Sequence, residues 1–160
     1  MNKVLKNPVV KNILSALAVA VFGFILLNLT FLFDALFQGV IRGIFGLFIP
    51  LGPDTNLYWF PPLMHGLFVA VILLISWFVF RSKLGVLYKA IYMTVPVAVV
   101  LATVGIFLYQ WPILGYSVGS LLCIGALYYL YRTKQPWLYY YAVVLVGLAM
   151  AIFSLVGGEI

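Results

Sequence analysis

Asp34, Gln38 and Arg42 recur every four residues in the run at 34–49. On a helix that spacing stacks a carboxylate, an amide and a guanidinium on one face. His65, the single histidine of the chain, is the residue nearby whose charge can change near neutral pH. As a binding set, these four would hold the polar end of a small molecule. If Asp34 and His65 met across the outer face, they could also work as an acid and base pair. No metal centre or cofactor is expected. The histidine stands alone and Cys123 is the only cysteine, which also rules out an intrachain disulfide. The chain carries no phosphate-binding glycine loop, nucleotide motif, carboxylate pair within a span or serine in a nucleophile elbow.

These residues must be positioned by a membrane-embedded frame. Apolar residues make up 66% of the chain and charged ones 8%, with a mean hydropathy of +1.21, whereas soluble domains carry roughly a quarter charged residues. An all-α integral membrane protein with a single transmembrane domain over 1–160 follows. Five apolar segments, near 12–33, 63–80, 88–109, 113–131 and 138–156, are each long enough for a core that needs about 20 helical residues. Asn12 suits an N-cap, and Pro61-Pro62 and Pro112 suit helix starts, where the missing N–H is not needed. Lys3, Lys6 and Lys11 ahead of Ala18-Val19-Ala20 imitate a secretory signal. The apolar run continues to Phe33, so an uncleaved first helix is expected.

Basic residues near helix ends are retained on the cytoplasmic side. With five spans and the N-terminus inside, that side receives Lys3, Lys6, Lys11, Arg81, Lys83, Lys89, Arg132 and Lys134. Arg42 and the three acidic residues, Asp34, Asp54 and Glu159, fall outside with the C-terminus. The pI of about 9.5 then reflects orientation in the cell membrane, and nucleic acid is not an expected partner.

Short connections at 81–87, 110–112 and 132–137 force segments two to five into an up-and-down bundle. The first segment is not placed by loop length. A shift of 51 residues aligns Arg81-Ser82-Lys83 with Arg132-Thr133-Lys134, Pro61 with Pro112, Leu87-Tyr88 with Leu138-Tyr139 and Ala98 with Ala149. Segments two–three and four–five therefore read as a candidate duplicated hairpin, although any membrane hairpin shares interfacial aromatics and a basic inner turn.

The 34–49 segment reads as a separate amphipathic or re-entrant outer helix. Glycines 39, 43 and 46 would let it lean on the bundle, and Pro50, Gly52 and Pro53 would end it. Pro96 suggests a kink in segment three. Gly115-x-x-x-Gly119 and Gly147-x-x-x-Ala151 are small-residue faces that suit close helix contact, within the chain or with a partner. Tyr58, Trp59, Phe60, Tyr109 and Trp111 form one aromatic belt. Trp77, Tyr88, Tyr128, Tyr129, Tyr131, Trp137, Tyr139, Tyr140 and Tyr141 form the other. Beside Arg132 and Lys134 the second belt could hold an anionic headgroup.

The expected function is binding or transport of a lipid or other small apolar or amphipathic molecule within the bundle, with Asp34, Gln38, Arg42 and His65 at its polar end. The alternative is an accessory membrane subunit, joined to a partner or to a second copy. A lipid-modifying enzyme using Asp34 and His65 stands third, so the balance leans away from an enzyme. Without a certain ionisable group inside a span, a driven pump is not expected.

Overall fold

The computed structural model describes residues 7–48 and 60–155, the side chains of Ser154 and Leu155 excepted. Lys3, Lys6, Pro50, Gly52, Pro53, Asp54, Tyr58, Trp59 and Glu159 lie outside the described residues. Five helices follow in order: α1 (Pro8–Gly46), α2 (Phe60–Arg81), α3 (Val86–Phe107), α4 (Pro112–Arg132) and α5 (Trp137–Leu155). The first four are long and apolar enough to cross a membrane, and α5 holds a shorter apolar stretch, Trp137–Phe153. The chain is an α-helical membrane protein.

The first helix differs most from expectation. Segments 12–33 and 34–49 are one continuous helix of 39 residues, about 58 Å at 1.5 Å per residue. It has no reversal, so the re-entrant reading is set aside. Its start also lies upstream of Asn12. Asn7 accepts from the backbone N–H of Val9 at 3.0 Å, and Pro8 opens the first turn. The polar stripe fails to end the helix because Asp, Gln and Arg are adequate helix residues. Each glycine weakens the interior by only about 1 kcal/mol.

Packing is centred on α3, which touches each of the other four helices, while α2 meets neither α4 nor α5. The broadest seams are α3 with α5 and α3 with α1. Helix α1 runs parallel to α3 over its first half, where Gly23 faces Thr94 and Val19 joins Ala90, Leu130, Leu138, Tyr139, Ala142 and Val143 in a core cluster. Its second half leans on α2. Phe33 and Phe37 both lie 6.0 Å from Phe68, and Phe45 is 5.3 Å from Phe60. A second cluster joins Phe68, Ile72, Val95 and Val99 with Leu26 and Phe37 against it. Glycines 39 and 43 make no part of this seam, since a Cβ at either would meet nothing within 4 Å. Phenylalanine rings make the contact that the sequence assigned to glycines.

The alternating helices bring Lys11, Arg81, Lys83, Lys89, Arg132 and Lys134 to one end of the bundle, with Arg42 at the other. At the basic end Arg81 stacks its guanidinium 4.0 Å from the Trp77 ring centroid. Lys89 reaches back to the carbonyl of Phe80 at 2.7 Å, satisfying one of the last acceptors of α2. Lys89→Met should therefore cost about 1 kcal/mol. It should also raise amide exchange through residues 82–85; unchanged exchange there would mean that the ammonium holds nothing in place.

The two Arg-x-Lys turns share a bond from residue 82 or 133 to the carbonyl four before it, Phe78 or Tyr129. They diverge at the next step, where Lys134 takes a left-handed φ of 50° and Gln135 N–H closes on Leu130. Burial does not follow the 51-residue register either. Tyr88 is 65% exposed and its counterpart Tyr139 is 7% exposed. Tyr139 is a core residue instead of a belt anchor, because α5 turns that face toward α1 and α3. Helix α3 continues through Pro96.

Candidate functional site

The polar stripe forms in part. Gln38 donates from Nε2 to Asp34 Oδ2 at 3.0 Å, and Arg42 lies one turn further on in a shared groove of about 360 Å³, lined also by Phe31, Ala35 and Gly39. Asp34 Oδ1 is buried and has no hydrogen-bond partner among the described residues. Arg42 is exposed and makes no ion pair among the described residues. Phe33 and Phe37, which bracket Asp34 on α1, rest on Phe68, eight residues along α2. Asp34 thus sits about 12 Å inward from the start of α2. That is deeper than the surface position expected, because the helix does not turn aside at residue 34.

His65 is not brought to this group. Its Nε2 lies 3.0 Å from Thr103 Oγ1, and its ring is 6.1 Å from that of Phe107. Thr103 commits its only hydrogen to the carbonyl of Val99 at 2.6 Å. The threonine oxygen must therefore accept, and Nε2 of His65 carries the proton. This bond joins α2 to α3, so His65 serves helix packing, and the acid and base pairing with Asp34 is absent. His65→Leu is expected to cost no more than about 1 kcal/mol, since Thr103 keeps its bond to Val99. A far larger loss on reversible unfolding in mixed micelles would give the histidine a further role.

A similar hydroxyl relay ties α2 to α3 deeper in the bundle. Ser76 donates to the carbonyl of Ile72 at 2.7 Å, which leaves its oxygen to accept from the Tyr92 hydroxyl at 3.2 Å.

The larger site lies elsewhere. Between α3, α4 and α5 is a cavity of about 860 Å³, within the range of roughly 300 to 1,000 Å³ typical of small-molecule pockets. Small residues from all three helices create it: Gly105 on α3, Gly115 and Gly119 on α4, and Gly147 and Ala151 on α5. Helix α4 is held at one end by the turn through Trp111, whose N–H bonds Leu108 at 2.8 Å, and at the other by buried Leu130. Between these ties only partial contact is made. A Cβ at Gly115 would meet Leu108 at 3.7 Å, and one at Gly119 would meet Leu101 at 3.6 Å. At Gly147 the approach is closer, 3.2 Å to Cys123 Sγ.

No cavity residue belongs to the set Asp34, Gln38, Arg42 and His65. The signal for it was present in the sequence as the two small-residue faces. Such faces imply helix contacts, because spacing alone does not tell a closed seam from a gap. Comparison of the chain with known protein families, with curated proteins and with solved structures finds no match.

Proposed function

We propose that this protein binds, and through binding could transport, a lipid or other small apolar or amphipathic molecule within its helical bundle. The observation that carries the reading is the cavity of about 860 Å³ bounded by α3, α4 and α5. Its apolar lining favours a hydrocarbon guest, and α4 is otherwise so little buried that the guest would complete its packing. In this reading the basic end faces the cytoplasm and the C-terminus lies outside, in the cell membrane. Native mass spectrometry of gently purified protein should show one retained apolar molecule per chain. Bare protein throughout a graded detergent series would count decisively against it.

The α1 groove supports a second reading, an accessory subunit. Ala35 and Gly39 leave the backbone of α1 open beside Asp34, Gln38 and Arg42, and Asp34 Oδ1 lacks a partner among the described residues. A transmembrane helix bearing a donor would satisfy that oxygen. Cysteine placed at Ala35 or Gly39 would then cross-link to such a helix in native membranes, and cysteine at Val40, on the opposite side of α1, would not. Equal cross-linking around the helix would remove this reading. An enzyme built on Asp34 and His65 gains no support, since each is engaged separately.

A further inference from the structure

We infer that the cavity between α3, α4 and α5 selects a neutral amphiphile, a molecule with a hydroxyl or carbonyl group on a hydrocarbon body and no formal charge. The inference rests on the reading of that cavity as a ligand site, and it names the class of guest.

The first ground is charge. Among the described residues, no Asp, Glu, Lys, Arg or His lines the cavity. A charged head drawn into it would give up hydration with no counter-ion, a penalty of about a hundredfold in affinity at membrane depth. Anionic and cationic lipids keep their heads in the interface, where α1 and the basic end offer partners.

The second ground is the placing of polar groups. Tyr109, Tyr116 and Ser120 line the half nearer the start of α4, while Leu101, Ile124, Leu127, Val143 and Val144 line the deeper half. Seven residues separate Ser120 from Leu127, about 10 Å along the helix. Below that floor the core around Leu130 and Ala142 closes the bundle. A guest with a polar group near Ser120 has an apolar slot beneath it.

The third ground is Ser120 itself. Four other span hydroxyls bond a carbonyl one turn back, Thr30 to Leu26, Ser76 to Ile72, Thr103 to Val99 and Ser117 to Ile113, while that of Ser15, on α1 and away from the cavity, makes no such bond. The exposed Ser120 makes no side-chain hydrogen bond among the described residues and lines the cavity. A serine hydroxyl can donate to a carbonyl or accept from a hydroxyl. In an apolar surrounding that bond gains strength because water does not compete. The shared chemistry fits a neutral lipid already in the bilayer and equally an apolar alcohol partitioning from water.

The test uses the full chain in phosphatidylcholine vesicles with three photoreactive probes of equal chain length, a fatty alcohol, an alkyl sulfonate and an alkyl trimethylammonium. Labelled residues are mapped by mass spectrometry. The alcohol should label the cavity faces of α4 and α5 at least tenfold more than either charged probe, and Ser120→Ala should lower its labelling about fivefold without changing that of an alkane probe. Diacylglycerol in the vesicles and a medium-chain alcohol added from water serve as competitors. Displacement by the first assigns a bilayer source, displacement by the second a water-borne one, and displacement by neither overturns the inference. Equal labelling by all three heads overturns neutrality while leaving the cavity as a ligand site. Absence of any label on α4 and α5 removes the ligand site itself.

Discussion

Gly23→Ala should destabilise the fold by about 1 to 3 kcal/mol, the usual cost of forcing a methyl group into a close-packed interior. A Cβ there would lie 2.8 Å from Thr94 Cγ2 and 3.1 Å from Thr94 Oγ1. Thr94 has nowhere to retreat. It is 1% exposed, and its hydroxyl is tied to the Ile91 carbonyl at 2.7 Å. Alanine's better helix propensity, worth up to about 1 kcal/mol, works the other way and is the smaller effect. Thr94→Ala in the same chain removes both offending atoms and leaves only Cβ at 3.4 Å. The double variant should recover most of the loss. Reversible unfolding in mixed micelles reads all four corners of the cycle. If Gly23→Ala proved neutral, or the double variant were no better than the single, the close approach of α1 and α3 would be wrong.

Filling the cavity is expected to produce the other large effect. Gly119→Phe should lower retention of the apolar guest at least tenfold while leaving stability within about 1 kcal/mol of the parent. The fold should tolerate it because the first added carbon meets only Leu101, at an ordinary 3.6 Å, and the ring then projects into open volume. Gly125→Phe is the matched control. It adds the same bulk to α4 at a glycine with nothing within 4 Å, outside the cavity lining. Native mass spectrometry of the two variants separates occlusion from damage. Equal retention in both would mean that the guest sits elsewhere.

These experiments depend on features that were unequally legible. The helical membrane class was plain, because a hydrocarbon solvent leaves no other use for such long apolar runs. Helix ends were legible where proline or a basic turn marks them, as at Pro112 and Arg132. The end of the first segment was misplaced at Phe33. Polarity there suggests a boundary, yet Asp34, Gln38 and Arg42 remain within one continuous helix. The stripe was found from its four-residue spacing, which is local geometry. The contact of His65 is not local in the sequence, because its partner, Thr103, is 38 residues away. The main cavity was missed for a related reason. Gly115, Gly119, Gly147 and Ala151 mark where helices can approach, and only packing across the helices decides whether they do.

By itself, then, the sequence determined that this is a helical membrane protein, with Arg81, Lys83, Arg132 and Lys134 at shared turns and a polar stripe along one face of α1. Those properties follow from composition and from spacing within single helices. Tertiary structure alone decided that α3 is the hub, that α1 docks on it through Gly23, and that α4 meets α3 and α5 only in part and leaves a cavity between them. Such choices turn on side chains meeting across helices, where a few ångströms separate a sealed contact from a chamber able to hold a ligand.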